Sequence, residues 1–162
     1  MDNEGIMDRE PRRDITPWCR ISIDKEGRWF YEGQEIINPG VLQTFYEALE
    51  FCDDSRYRIV LGHEVCYVEV EDTPFVVMTL RGDNSQGFTL VLNTGQNYTL
   101  DPSTLMIGRN NILYARLPDG MPVRLSRPAY YLLAMSMEES PDGVIFLRVG
   151  QRMYPLHTRT QS

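Results

Sequence analysis

A chain of 162 residues with 42% apolar and 24% charged side chains can bury one hydrophobic core or a tightly fused pair, which excludes the disordered, collagenous and membrane-spanning classes. Its 23 acidic and 16 basic residues give a net charge of -7, with 17 acidic and 9 basic in residues 1–81 against 6 and 7 in residues 82–162, and such a surface repels a polyanionic backbone, so no nucleic-acid partner is expected. No apolar run has the length of a membrane helix, and the start, through Asp14, has no apolar stretch, so neither a membrane span nor a signal peptide is expected and the expected location is cytoplasmic.

Residues 1–17 are polar, end in Thr16-Pro17 and lack periodicity; they read as a mobile N-terminal arm. A strand at Arg20 to Ile23, a turn at Asp24-Lys25-Glu26-Gly27 and a strand at Arg28 to Tyr31 predict a hairpin. Asn38-Pro39 is a helix start, because the Asn side chain caps free N–H groups and Pro at the first position has none to leave unpaired. Val41, Phe45, Ala48, Leu49 and Cys52 then fall at helical spacing and predict a helix to about Phe51. Tyr57 to Leu61, a turn at Gly62-His63-Glu64, and Val65 to Val70 predict a second hairpin.

Phe75 to Leu80 and Phe88 to Leu92 read as strands around a turn at Gly82-Asp83-Asn84, with a weaker strand at Asn97 to Leu100. The opening order then returns: strands at Leu113 to Leu117 and Met121 to Leu125, a helix carrying Tyr130, Leu133, Ala134 and Met137, and strands at Val144 to Val149 and Met153 to Leu156. Gly27 matches Gly120, Pro39 matches Pro128 and Gly62 matches Gly150 at nearly constant separation, which predicts a duplication. The expected fold is α+β: two related hairpin-helix-hairpin units (18–72 and 112–157) joined by central antiparallel strands (73–111), with residues 158–162 as a tail. A cleft between the units is the natural place for a ligand.

Cys19, Cys52 and Cys66 form no C-x-x-C pair, and an odd count fits no disulfide framework, so all three are expected to be reduced. His63 and Cys66 would make a nucleophile pair only if imidazole and sulfur converged, and a turn followed by a strand does not bring them together. Glu69 and Glu71 share one strand face, read as solvated rather than as a metal site; no metal or other cofactor is expected. Gly108-Arg109-Asn110-Asn111 could turn backbone N–H groups toward an anion.

Ile21-Ser22-Ile23, Gly27-x-Trp29-Phe30-Tyr31-x-Gly33-x-x-Ile36, Tyr57-x-Ile59-Val60 and Val68-x-Val70-x-Asp72-x-Pro74-Phe75, taken in order, resemble the bacterial domain of unknown function 1285. Phe88-Thr89-Leu90 with Asn93, Arg127-Pro128-Ala129-Tyr130-Tyr131-x-Leu133, Gly143-Val144 and Tyr154-Pro155-Leu156 are similar to its later segments, so the resemblance runs over residues 18–157. It implies an α+β chain with repeated structural motifs and a role in signal transduction or small-ligand sensing. Gly62-His63-Glu64 stands where that family carries a Val-Glu-Lys stretch.

The reading that results is a non-enzymatic module that binds a small ligand or a protein partner, with Trp29, Tyr31, Asp72, Phe75, Asn93 and Arg127 as candidate cleft residues. A hydrolase using Cys66 or His63 is the rival. A structural module that forms a homodimer through a sheet edge is the third reading.

Overall fold

The structure, a computed structural model, describes residues 16–158; most of the expected arm (1–15) and tail (159–162) lies outside them. β1 (Trp18–Ile23) and β2 (Trp29–Tyr31) form the expected hairpin in the register Ile23 opposite Trp29. Its turn is tied by Asp24, whose Oδ1 accepts from the backbone N–H groups of Glu26 and Arg28, each at 2.9 Å. Gly27 turns the chain at φ +79°, in the region that side chains with a Cβ avoid. A short β3 (Gln34–Glu35) pairs back onto β2.

Asn38 caps helix α1 (Pro39–Ala48) as expected, its Oδ1 accepting from Gly40 N at 2.9 Å and Val41 N at 3.1 Å. The helix stops at Ala48 rather than near Phe51, because Leu49, Glu50 and Phe51 form β4 (Leu49–Phe51) and pair with Ile59, Arg58 and Tyr57 of β5 (Tyr57–Leu61). The ladder satisfies those backbone groups and places Leu49 in the core. The packed face of α1 is also rotated from the expected one: Leu42, Phe45 and Tyr46 meet the core, while Val41 is exposed. β6 (Glu64–Val70) runs antiparallel to β5 and parallel to β1, giving a sheet in the order β3-β2-β1-β6-β5-β4.

That β1–β6 joint corrects the expectation about sulfur. Cys19 and Cys66 face each other across it with Cα atoms 5.1 Å apart and are joined as a disulfide, leaving Cys52 as the free thiol. Their distance along the chain gave no hint of this, since the pairing arises from a parallel register between strands of remote sequence position.

The second sheet has the order β16-β10-β11-β12-β7-β8-β9. Its strands are β7 (Phe75–Asp83), β8 (Gly87–Leu92), β9 (Asn97–Thr99), β10 (Met106–Ile107), β11 (Leu113–Arg116), β12 (Pro122–Leu125) and β16 (His157–Thr158). β7 runs on to Asp83, so the turn falls one or two residues later than expected; the Asp83 carboxylate ties it by accepting from Ser85 N and Gln86 N. β12 joins β7 in parallel, the pairing that brings the later half of the chain against the central strands. Helix α2 (Arg127–Ala134) starts at a Ser126 cap and buries Ala129 and Leu133 completely. It too ends short of its expected limit, because Met137 belongs to β13 (Met137–Glu139), which begins the antiparallel sheet β13-β14-β15 with β14 (Ile145–Val149) and β15 (Arg152–Pro155). One hydrophobic cluster, from Ile23 and Trp29 through Val77 and Val123 to Leu133 and Leu147, runs through all three sheets.

Candidate functional site

Where the first sheet meets the second, the described residues leave a pocket of about 590 Å³. The first sheet supplies Trp18 of β1, Phe51 of β4, Tyr57 of β5 and Val68 of β6; the second supplies Met106 of β10, Tyr114, Ala115 and Arg116 of β11, and Pro122 of β12. Asp72 and Thr73, in the link from β6 to β7, complete the wall at the junction. The pocket exists because a chain leaving β6 must cross to the second sheet here; Tyr114 and Arg116 share the strand face turned to it, while Ala115 between them is buried in the core.

Asp72 is held from both sides. The Tyr114 hydroxyl donates to its Oδ2 at 2.8 Å, and Arg124 Nε lies 3.7 Å from the same oxygen. Arg124 also donates to the Lys25 carbonyl at 3.1 Å, so the first hairpin turn and the second sheet share one guanidinium. Thr73 Oγ donates to the Phe75 carbonyl at 2.8 Å and accepts from Arg124 N at 3.2 Å. Arg56 is engaged as well, with Nη2 and Nε on Asp54 Oδ2 at 2.6 and 2.8 Å and its guanidinium 4.0 Å above the Tyr67 ring.

Two groups differ. Tyr57 is 6% exposed, and among the described residues its hydroxyl has no hydrogen-bond partner. Burial, with the Asp72 charge adding to it and Arg116 opposing, pushes its phenol above the ordinary tyrosine range. Arg116 is exposed at the rim, donates from Nη1 to the Gly120 carbonyl at 2.7 Å, and has no carboxylate partner among the described residues. The pocket therefore offers donors from two strands that come from different sheets.

Of the six candidate cleft residues, only Asp72 lines this pocket. Trp29 is core, 1% exposed, T-shaped against Tyr46 at 5.0 Å and stacked on Phe45 at 5.8 Å. Phe75 is buried against the Tyr46 ring. Tyr31 lies exposed on β2, and Arg127 is exposed at the start of α2. Asn93 is used by the protein itself: Oδ1 accepts from Val76 N at 3.1 Å, while Nδ2 donates to the Tyr46 hydroxyl at 3.0 Å and to the Pro74 carbonyl at 3.3 Å. The Tyr46 hydroxyl in turn donates toward the carbonyls of Gly27 and Pro74, at 3.3 and 3.2 Å. Burial raises the Tyr46 phenol, with the Asn93 amide donor pulling the other way.

The rival residues are placed too. Cys66 is bonded to Cys19 and has no thiolate to offer, which removes it as a nucleophile, and His63 sits exposed in its turn. Asn110 and Asn111 adopt left-handed backbone conformations, yet Arg109 does not line the pocket. Among the described residues no three His, Cys, Asp or Glu side chains converge to hold a metal, and no helix is long and apolar enough to cross a membrane. Tyr57, Tyr114 and Arg116 were missed by sequence reasoning; the available signal was a polar-tipped aromatic or an arginine at the end of a strand, next to a loop aspartate.

The arrangement is that of an α+β chain, mostly strand, with mixed sheets enclosing a pocket. No protein-family model matches the chain, nor does any curated protein. Its fold is that of solved DUF1285 family proteins, in agreement with the resemblance of the sequence motifs. The protein from Silicibacter pomeroyi DSS-3 is similar with a TM-score of 0.73 and 21% identity over 90% of each chain. The protein from Shewanella baltica OS155 is similar with a TM-score of 0.59 and 22% identity, over 70% of this chain and 89% of that one.

Proposed function

We propose that the chain is a binding module of the DUF1285 kind whose inter-sheet pocket takes a small ligand, without chemistry being done on it. The observation that carries this reading is the Tyr57 hydroxyl, which opens, without a protein partner among the described residues, on the wall of a pocket of about 590 Å³ while the rest of its side chain is buried. A hydroxyl that opens on a pocket with no protein partner is a hydrogen-bonding group that a bound ligand can use. Aromatic and aliphatic walls with a few placed polar groups are the usual composition of such sites.

The pocket lies between elements of the opening and closing parts of the chain, as a duplicated scaffold pressed together would place it. We read the two parts as copies of one unit: a hairpin (β1–β2, β11–β12), a helix with Pro in its first turn behind a polar cap (α1, α2), and a three-stranded antiparallel run (β4–β5–β6, β13–β14–β15). In the first copy the last strand returns to the hairpin, and in the second it forms a separate sheet.

The test is mass spectrometry of small molecules released on denaturing protein purified under native conditions. The expected result is a compound present near stoichiometry that is absent from a Met106→Trp variant of unchanged fold, since Met106 lines the pocket opposite Tyr114 and the larger ring fills it. Release of the same compounds from both proteins, or of none from either, contradicts the reading.

A further inference from the structure

The chemistry of the ligand follows from which polar groups of the pocket are already used. Asp72 accepts from Tyr114 and lies beside Arg124, and Arg56 is paired with Asp54 and covers the Tyr67 ring. Among the lining groups engaged by no other side chain of the described residues are the Tyr57 hydroxyl, on the first sheet, and the Arg116 guanidinium, whose one bond goes to a backbone carbonyl, on the second. Both are donors. A cationic ligand would meet Arg116 with no gain, whereas an anion accepts from both groups, and the hydrogen bond to the guanidinium is charge-assisted. Glu69, the other carboxylate of the lining, is exposed as Arg116 is, so the preference for an anion rests on directed hydrogen bonds rather than on net charge. Around these donors the wall is apolar and aromatic, with Trp18 and Phe51 from the first sheet and Met106 from the second. A bare inorganic anion would leave that surface uncovered.

We propose that the pocket binds a small organic carboxylate with a flat apolar body, the carboxylate accepting from the Tyr57 hydroxyl and the Arg116 guanidinium and the body lying against Trp18 and Phe51. This rests on the pocket reading above and narrows it to one ligand class. Tyr57 and Arg116 are binding residues in this account, and Asp72 with Tyr114 sets the distance between the two walls.

The test uses the full chain and four probes: phenylacetate, 2-phenylethanol, 2-phenylethylamine and inorganic phosphate, each titrated against the 15N-labelled protein by NMR. Phenylacetate is expected to move the backbone signals around Tyr57 and Arg116, and to bind more tightly than the other three. Arg116→Gln is expected to weaken phenylacetate by about ten-fold or more and Tyr57→Phe by about five-fold, with 2-phenylethanol unaffected by Arg116→Gln. Equal binding of the acid and the alcohol, preference for the amine, phosphate competing at the same residues, or no shift with phenylacetate each overturns the carboxylate assignment. The pocket reading is judged separately by the released compounds: a neutral or cationic compound lost on Met106→Trp would sustain the pocket and refute the carboxylate.

Discussion

Tyr114 and Asp72 are 42 residues apart in the chain and 2.8 Å apart across the junction of the two large sheets. The bond is charge-assisted, and it joins β11 to the link between β6 and β7. Tyr114→Phe removes the donor while keeping the ring. Because Asp72 keeps Arg124 at 3.7 Å and is 23% exposed, the expected loss is at the low end for a bond to a charged group, about 1–2 kcal/mol in urea unfolding. An unchanged midpoint would show that the two sheets do not depend on this contact.

A second clasp joins the first hairpin to the central strands. A Cβ at Gly27 would meet Asn93 Nδ2 at 2.6 Å and the Pro74 carbonyl at 3.1 Å, at a φ of +79°. Gly27→Ala therefore strains the backbone and pushes on the Asn93 amide together, and should destabilise by about 1–3 kcal/mol. Asn93→Ala, which leaves Val76 N and the Tyr46 hydroxyl each short of a partner, should act in the same range. If the two substitutions are coupled as the contacts require, the double variant loses less than the two losses added.

Much of this was legible in local sequence, because it is local chemistry. Asn38-Pro39 announces a capped helix, and the glycine-bearing turn at Gly27 announces a hairpin, since each satisfies or frees backbone groups within a few residues. What was not legible depends on remote partners. β3, β4, β10, β13 and β16 are two or three residues long, too short for a period, and exist only because a neighbouring strand needs pairing. The parallel joints β1–β6 and β7–β12 leave no local mark, so the Cys19–Cys66 bond and the pocket wall stayed hidden with them. Trp29 shows the same limit on a single residue: alternation on a strand tells which side chains share a face, and the covering layer decides which face is buried.

The disulfide makes a prediction of its own. Alkylation of the unfolded, unreduced chain should label one of the three cysteines, Cys52, and reduction beforehand should expose all three. The bond closes a loop with a sequence separation of 47, so the Cys19→Ser, Cys66→Ser pair should lose up to about 4 kcal/mol of stability. Three labelled thiols without reduction would refute the bond. Burial raises the Cys52 thiol, so its labelling in the folded protein should be slow at neutral pH.

The Asp24 turn sets an acid limit. Burial alone would raise this carboxyl, but the Arg28 and Glu26 backbone N–H groups and the Arg28 side chain together hold it below the usual range. A carboxyl lower in the folded than in the unfolded chain binds its proton preferentially when unfolded. Its stabilising contribution is therefore complete above the unfolded value of about 4 and is lost as pH falls through the folded one. Melting temperature should drop below about pH 4, and Asp24→Asn, less stable at pH 7, should drop less. Parallel curves for the two proteins would assign the acid sensitivity elsewhere.

The pocket itself is tested most directly by a high-resolution crystal structure of the natively purified, undialysed protein. The account predicts ordered non-protein density within hydrogen-bond reach of the Tyr57 hydroxyl and the Arg116 guanidinium. A space closed by the protein's own side chains, with the Tyr57 hydroxyl bonded to one of them, would contradict it.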